Sequence, residues 1–119
     1  MFRDSIRQLV ENTEGAVAGL LMDLEGIPVE SYSRAGAELD IEVVGAEASM
    51  VVKAVQRAGE MLDAGQVREI SFQSDRMVTL VRILNANYFL ILALDPSGNF
   101  GKGRFLLRTT APMLASELL

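Results

Sequence analysis

The chain contains no cysteine and no histidine. Without cysteine there is no disulfide and no thiol nucleophile. Without histidine there is no imidazole base and no imidazole metal ligand. Serines are present, but no Gly-x-Ser-x-Gly elbow holds one as a nucleophile. Long apolar runs are missing as well. The longest, Tyr88 to Leu94, is strand-sized and far short of the roughly 20 residues that cross a bilayer. No signal-peptide hydrophobic region follows Met-Phe-Arg-Asp-Ser at the N-terminus, so a cytoplasmic protein without membrane insertion is expected. Positive charge is scarce. The 11 Lys and Arg are outnumbered by 16 Asp and Glu, for a net charge of −5. This argues against nucleic acid as a partner, because phosphate binding needs clustered cations.

Apolar residues are plentiful, at 50% of a 119-residue chain. That composition excludes disorder and supports a hydrophobic core without metal or disulfide staples. The length suits one domain, residues 1–119.

Phe2, Ile6, Leu9 and Val10 recur at helical spacing and predict an amphipathic helix ending near Gly15. Ala16 to Asp23 is a strand. Asp23-Leu24-Glu25-Gly26 is a tight turn in which Gly26 supplies positive φ, and Ile27 to Ser33 returns as the second half of a hairpin. Pro28 is tolerable near the start or at the edge of that strand. Asp40 is the expected N-cap of a long helix reaching Leu62 and stopping before Gly65. Glu69 to Gln73 alternates like a half-buried strand, Met77 to Leu84 is the next, and Tyr88 to Leu94 is fully apolar. Asn99 caps a last helix that Pro112 should kink or split. The order α-β-β-α-β-β-β-α, with five antiparallel strands in one sheet and helices on both faces, is an α+β domain.

Two motifs invite a chemical reading. Asp23 and Glu25 are paired carboxylates, but their place in a turn favours solvated turn residues. Gly98-Asn99-Phe100-Gly101-Lys102-Gly103 lies between a strand and a helix, where phosphate loops sit. The Walker A pattern fails at both ends, with Pro96 in place of the first glycine and Gly103 in place of Ser or Thr. A strand-to-helix turn is the simpler reading.

The long helix is the most informative segment. At about 100° per residue, Glu42, Gly45, Ser49, Lys53, Gln56 and Glu60 share one narrow stripe. Nearly everything else is apolar, over an arc of roughly 240° where an ordinary surface helix needs about 100°. The surplus calls for a cover, most simply a second copy of the chain. Glu47 lies within the apolar arc and Arg57 near its edge. Either both snorkel to solvent at the rim, or they pair across a two-fold axis at Val52, about which positions 47 and 57 are symmetric.

The element order, the hairpin Leu20-Leu21-Met22-Asp23-Leu24-Glu25-Gly26-Ile27-Pro28-Val29, the small-residue helix start Val44-Gly45-Ala46-Glu47-Ala48 and the ending Asn99-Phe100-Gly101-Lys102-Gly103-Arg104 resemble the Roadblock/dynein light-chain domain family. The compact length resembles its prokaryotic, MglB-like branch. Pro112 departs from the family's uninterrupted last helix. The resemblance implies a homodimer in which the long helices pack together and the following strands pair edge to edge. That places Val43, Ala46, Glu47, Met50, Ala54, Arg57 and Met61 of the helix, with Glu69, Ile70, Ser71 and Phe72 of the strand, at the dimer interface. It further implies a non-enzymatic regulator or adaptor that binds a small Ras-like GTPase and modulates its nucleotide cycle without an arginine finger. The implied contact stripe is Glu42, Ser49, Lys53, Gln56 and Glu60; a solvated face is the other reading of the same stripe. No cofactor and no metal are implied. A nucleotide-independent scaffold subunit is the alternative. A small-molecule sensor is a third reading, against which no polar residues converge on an expected core cavity.

Overall fold

Apolar runs or alternation along the strands and 3.6-residue recurrence along the helices produce eight elements in the expected order. The computed structural model describes residues 2–118. They are α1 (Phe2–Glu11), β1 (Ala16–Asp23), β2 (Pro28–Ser33), α2 (Ile41–Met61), β3 (Glu69–Gln73), β4 (Val78–Ile83), β5 (Tyr88–Leu94) and α3 (Phe100–Ala115). The five strands form one antiparallel sheet, ordered β2-β1-β5-β4-β3. Pro28 starts an edge strand, where a missing N–H breaks no ladder.

The sheet separates two apolar layers. Ile6, Leu9 and Val10 of α1 and Leu107 and Leu114 of α3 pack on Leu21, Leu80, Leu90 and Leu92. On the other face Ile41, Ala48 and Val52 of α2 pack on Leu20, Met22, Val81, Phe89 and Ile91. The central strand β5 is buried on both faces, which explains its unbroken apolar run. Each fully buried Leu or Phe there contributes about 1.5–3 kcal/mol.

Asp40 caps α2 through its side chain, Oδ1 accepting from the Glu42 N–H at 3.1 Å. The helix ends at Met61, one residue short of the expected Leu62, and Gly65 is not its stop. Asp63, at φ +52°, takes the left-handed position. Its N–H donates to Glu60 O at 3.1 Å and the Ala64 N–H donates to Gly59 O at 2.9 Å, closing a Schellman motif. Close approach of α2 to the sheet depends on Gly45. A Cβ there would strike Leu20 Cδ2 and lie 2.8 Å from Met22 Cε.

Of the expected kink or split at Pro112, a split does not occur: α3 runs through it to Ala115. The proline is exposed and sits in the last turn, so it forgoes one backbone bond near a terminus that frays anyway.

Candidate functional site

The inward side of α2 is a narrow seam. Ile41, Gly45, Ala48, Ser49, Val52 and Gly59 are buried, and their spacing keeps them on one face of the helix. The opposite side has no cover within the chain. Val43 is 58% exposed, Met50 67% and Met61 80%, and Ala46, Glu47, Ala54 and Arg57 share that exposed side. Isolated exposed apolar residues are ordinary, but a continuous row along a helix marks a contact surface. Glu47 and Arg57 make no ion pair within the chain among the described residues.

The strand β3 is equally bare. Its alternation predicts half burial, yet only Ile70 is partly buried, and Phe72 is 38% exposed. The reason is its place at the sheet edge, where β4 is its one neighbour. The Ile83 N–H donates to Arg68 O at 2.9 Å and the Ser74 N–H to Met77 O at 2.9 Å, which sets the phase of the β3–β4 ladder. Backbone groups of Ile70 and Phe72 face β4, and those of Glu69, Ser71 and Gln73 point outward. No side chain among the described residues bonds these outward groups. Glu69 itself is held from the α3 side, with Arg104 Nη2 at 2.6 Å and Arg82 Nη1 at 3.7 Å.

The stripe expected on α2 is divided by the fold. Glu42, Lys53 and Glu60 are exposed and Gln56 is half-buried. Ser49 is not available as a surface contact: it is 5% exposed, and its hydroxyl donates to Ala46 O at 2.7 Å. Gly45 is likewise turned to the sheet. A helical wheel ranks these two with the polar residues, but small residues are what close helix–sheet packing requires. Lys53 Nζ lies 3.7 Å from Glu25 Oε2 on the β1–β2 turn, an exposed pair of little energetic weight.

Asp23 acts as turn scaffolding, Oδ1 accepting from the N–H groups of Glu25 at 2.9 Å and Ile27 at 3.0 Å, while Gly26 sits at φ +88°. The Gly98–Gly103 segment is a strand-to-helix turn. Asn99 Oδ1 caps α3 by accepting from the Lys102 N–H at 3.0 Å, and the backbone crosses that of Gly15 closely. An open trough of about 760 Å³ runs between the end of α2 and the β4–β5 turn. Glu60, Asp63, Arg68 and Arg82 are spread along it with no convergent set. Among the described residues no group of three or more acidic side chains is placed to hold a metal, and no helix is long and apolar enough to cross a membrane.

Asp95 and Tyr32 are shifted from their usual values. The Ser97 hydroxyl, then its N–H, holds the Asp95 carboxyl below the ordinary aspartate range. The hydrogen bond to Glu11, with some desolvation, pushes the Tyr32 phenol up.

What sequence reasoning missed is the role of single long side chains. Arg104, Arg34 and Arg3 each tie one element to another, Arg34 by donating from Nε to Ala16 O at 2.6 Å and from Nη2 to Val10 O at 2.8 Å. No periodicity announces such contacts.

The fold and the exposed surfaces can be compared with known proteins. The chain is similar to MglC from Myxococcus xanthus, with 39% identity, 98% of each chain covered and a TM-score of 0.72. The gliding protein MglB from Thermus thermophilus shares 19% identity over 96% of this chain and 88% of its own, at a TM-score of 0.81. A Roadblock/LC7 domain from Streptomyces avermitilis shares 16% identity over 94% of this chain and 96% of its own, at a TM-score of 0.77. At those lower identities the likeness is one of fold. No curated protein matches the chain in sequence. Residues 3–94 match the Roadblock/LC7 domain, and with them the chain belongs to the Roadblock/LC7 family.

Proposed function

We propose that the protein is a homodimeric regulator or adaptor that binds a small Ras-like GTPase and modulates its nucleotide cycle without catalysing a reaction itself. The observation that carries this reading is the pairing of a bare apolar helix face with an unpaired strand edge. Val43, Met50 and Met61 lie open on α2, and β3 has an open outer edge. Membership of the Roadblock/LC7 family and the likeness to MglC and MglB support it. A two-fold assembly through these surfaces buries the apolar row and satisfies the strand edge in one step. In it Glu47 and Arg57 of one copy meet Arg57 and Glu47 of the other when the axis passes near Val52.

The GTPase docks on the flank of the paired helices that carries Glu42, Lys53, Gln56 and Glu60. It acts by binding one switch conformation more tightly than the other, since only differential affinity shifts such an equilibrium. The experiment is a nucleotide-dependent capture. Immobilised protein is incubated with lysate from its own source, loaded with GDP or with a non-hydrolysable GTP analogue, and bound proteins are identified by mass spectrometry. Recovery of a small GTPase mainly with one nucleotide, and its loss with Lys53→Glu/Gln56→Ala, supports the reading. Equal recovery with both nucleotides supports the nucleotide-independent scaffold instead.

A further inference from the structure

The two edges of the sheet are finished differently. In the β1–β2 ladder the Arg34 N–H donates to Val17 O at 2.9 Å, which fixes the phase: Tyr32 and Glu30 turn their backbone groups toward β1, and Ser31 turns both of its own outward. Those outward groups are already occupied. Arg3 Nη1 donates to Ser31 O at 2.9 Å, and the Ser31 N–H donates to Glu30 Oε1 at 3.0 Å. Arg3 and Glu30 themselves lie 3.8 Å apart. The Arg3 guanidinium is steadied over the Tyr32 ring at 5.6 Å, and the Tyr32 hydroxyl donates to Glu11 at 2.8 Å, so the clip is anchored on α1. Pro28, at the start of the same strand, has no N–H to offer. On β3 nothing comparable covers Ser71.

We propose that Arg3 and Glu30 form an assembly stop, a side-chain clip that occupies the outward groups of Ser31 in the middle of the β2 edge and so blocks strand addition there by a second copy of this chain. A sheet with two open edges can pair at both and so grow without limit, whereas one closed edge leaves a finite assembly. Charges set on an edge are a common way to prevent growth. This goes beyond the proposed GTPase reading and needs no GTPase, but the continued growth it predicts rests on the β3 pairing proposed above. Growth that stops at twice the wild-type mass supports the clip and overturns that pairing.

The test opens the clip with Arg3→Gln/Glu30→Thr, which keeps polarity and strand propensity. Mass is followed by sedimentation over a range of concentrations. The wild type holds one mass. The opened variant at least doubles it and keeps growing with concentration. Adding Ser31→Pro, which removes the outward N–H and leaves the β1 ladder intact, returns the mass to that of the wild type. An opened variant that keeps the wild-type mass overturns the proposal, as does growth that survives Ser31→Pro, or a wild type that grows by itself and is arrested by Ser31→Pro. Should the double variant not fold, Glu30→Thr alone is read by amide exchange. The clip predicts severalfold faster exchange at Ser31 with Tyr32 unchanged, and an unchanged Ser31 rate overturns it.

Discussion

Arg104 of α3 grips Glu69 of β3 with two N–H groups, Nε at 2.9 Å and Nη2 at 2.6 Å from one carboxylate oxygen. The first residue of the bare edge strand is thus tied to the helix on the sheet's far side. β3 owes its position to the β4 ladder and to this pair, with Arg82 adding a longer contact on the same carboxylate.

Arg104→Ala removes that tie. Its side chain is 56% exposed, so screening limits the loss of stability to about 0.5–1 kcal/mol, shrinking further in high salt. Urea unfolding measures the loss. Amide exchange should quicken along β3 and stay unchanged in β5.

Gly45→Val places branched atoms where Leu20 and Met22 already pack. The expected loss is about 1–3 kcal/mol from overpacking, seen as a lower denaturation midpoint at unchanged m-value.

Asp63→Gly relieves a left-handed residue with a side chain. The Schellman bonds stay in place, so stability should rise by up to about 1 kcal/mol in thermal unfolding. An unchanged or lower midpoint means the Asp63 side chain is engaged in a way that offsets the backbone gain.

Ser71→Pro and Met50→Asp test the two halves of the proposed dimer separately. The Ser71 N–H points out of the sheet and Met50 points out of the helix layer, so neither change disturbs the core of the single chain. Each should lower the mass in solution to one chain with an unchanged circular dichroism spectrum. A dimer that survives Ser71→Pro excludes edge pairing, and one that survives Met50→Asp excludes helix pairing. Glu47→Arg should weaken the dimer, and adding Arg57→Glu should restore it if the two meet across the axis.

Most of the architecture was legible from local signals. Strand-sized apolar runs located β1 and β5, period-two alternation located β3, and the Asp40 cap was placed to the residue. The surplus apolar arc of α2 was legible too, since Val43, Met50 and Met61 have no place in a seam that Ile41, Ala48 and Val52 already fill. The contact stripe was only partly legible. A helical wheel sorts by polarity, and it grouped Gly45 and Ser49 with Lys53 and Glu60. Burial sorts by size and distance, and it drew those two small residues against Leu20, Met22 and the Gly26 turn.

The amino-acid sequence by itself determined the elements, their order, the family and the presence of one apolar face too many, because these depend on interactions between residues close along the chain. The tertiary structure alone decided which strands became edges, and so which backbone groups were left bare. It also decided that Arg3 and Glu30 close one edge while Arg104 steadies the other through Glu69. Those pairings join residues 27 and 35 positions apart, and they exist only once the sheet has brought distant segments within hydrogen-bonding reach.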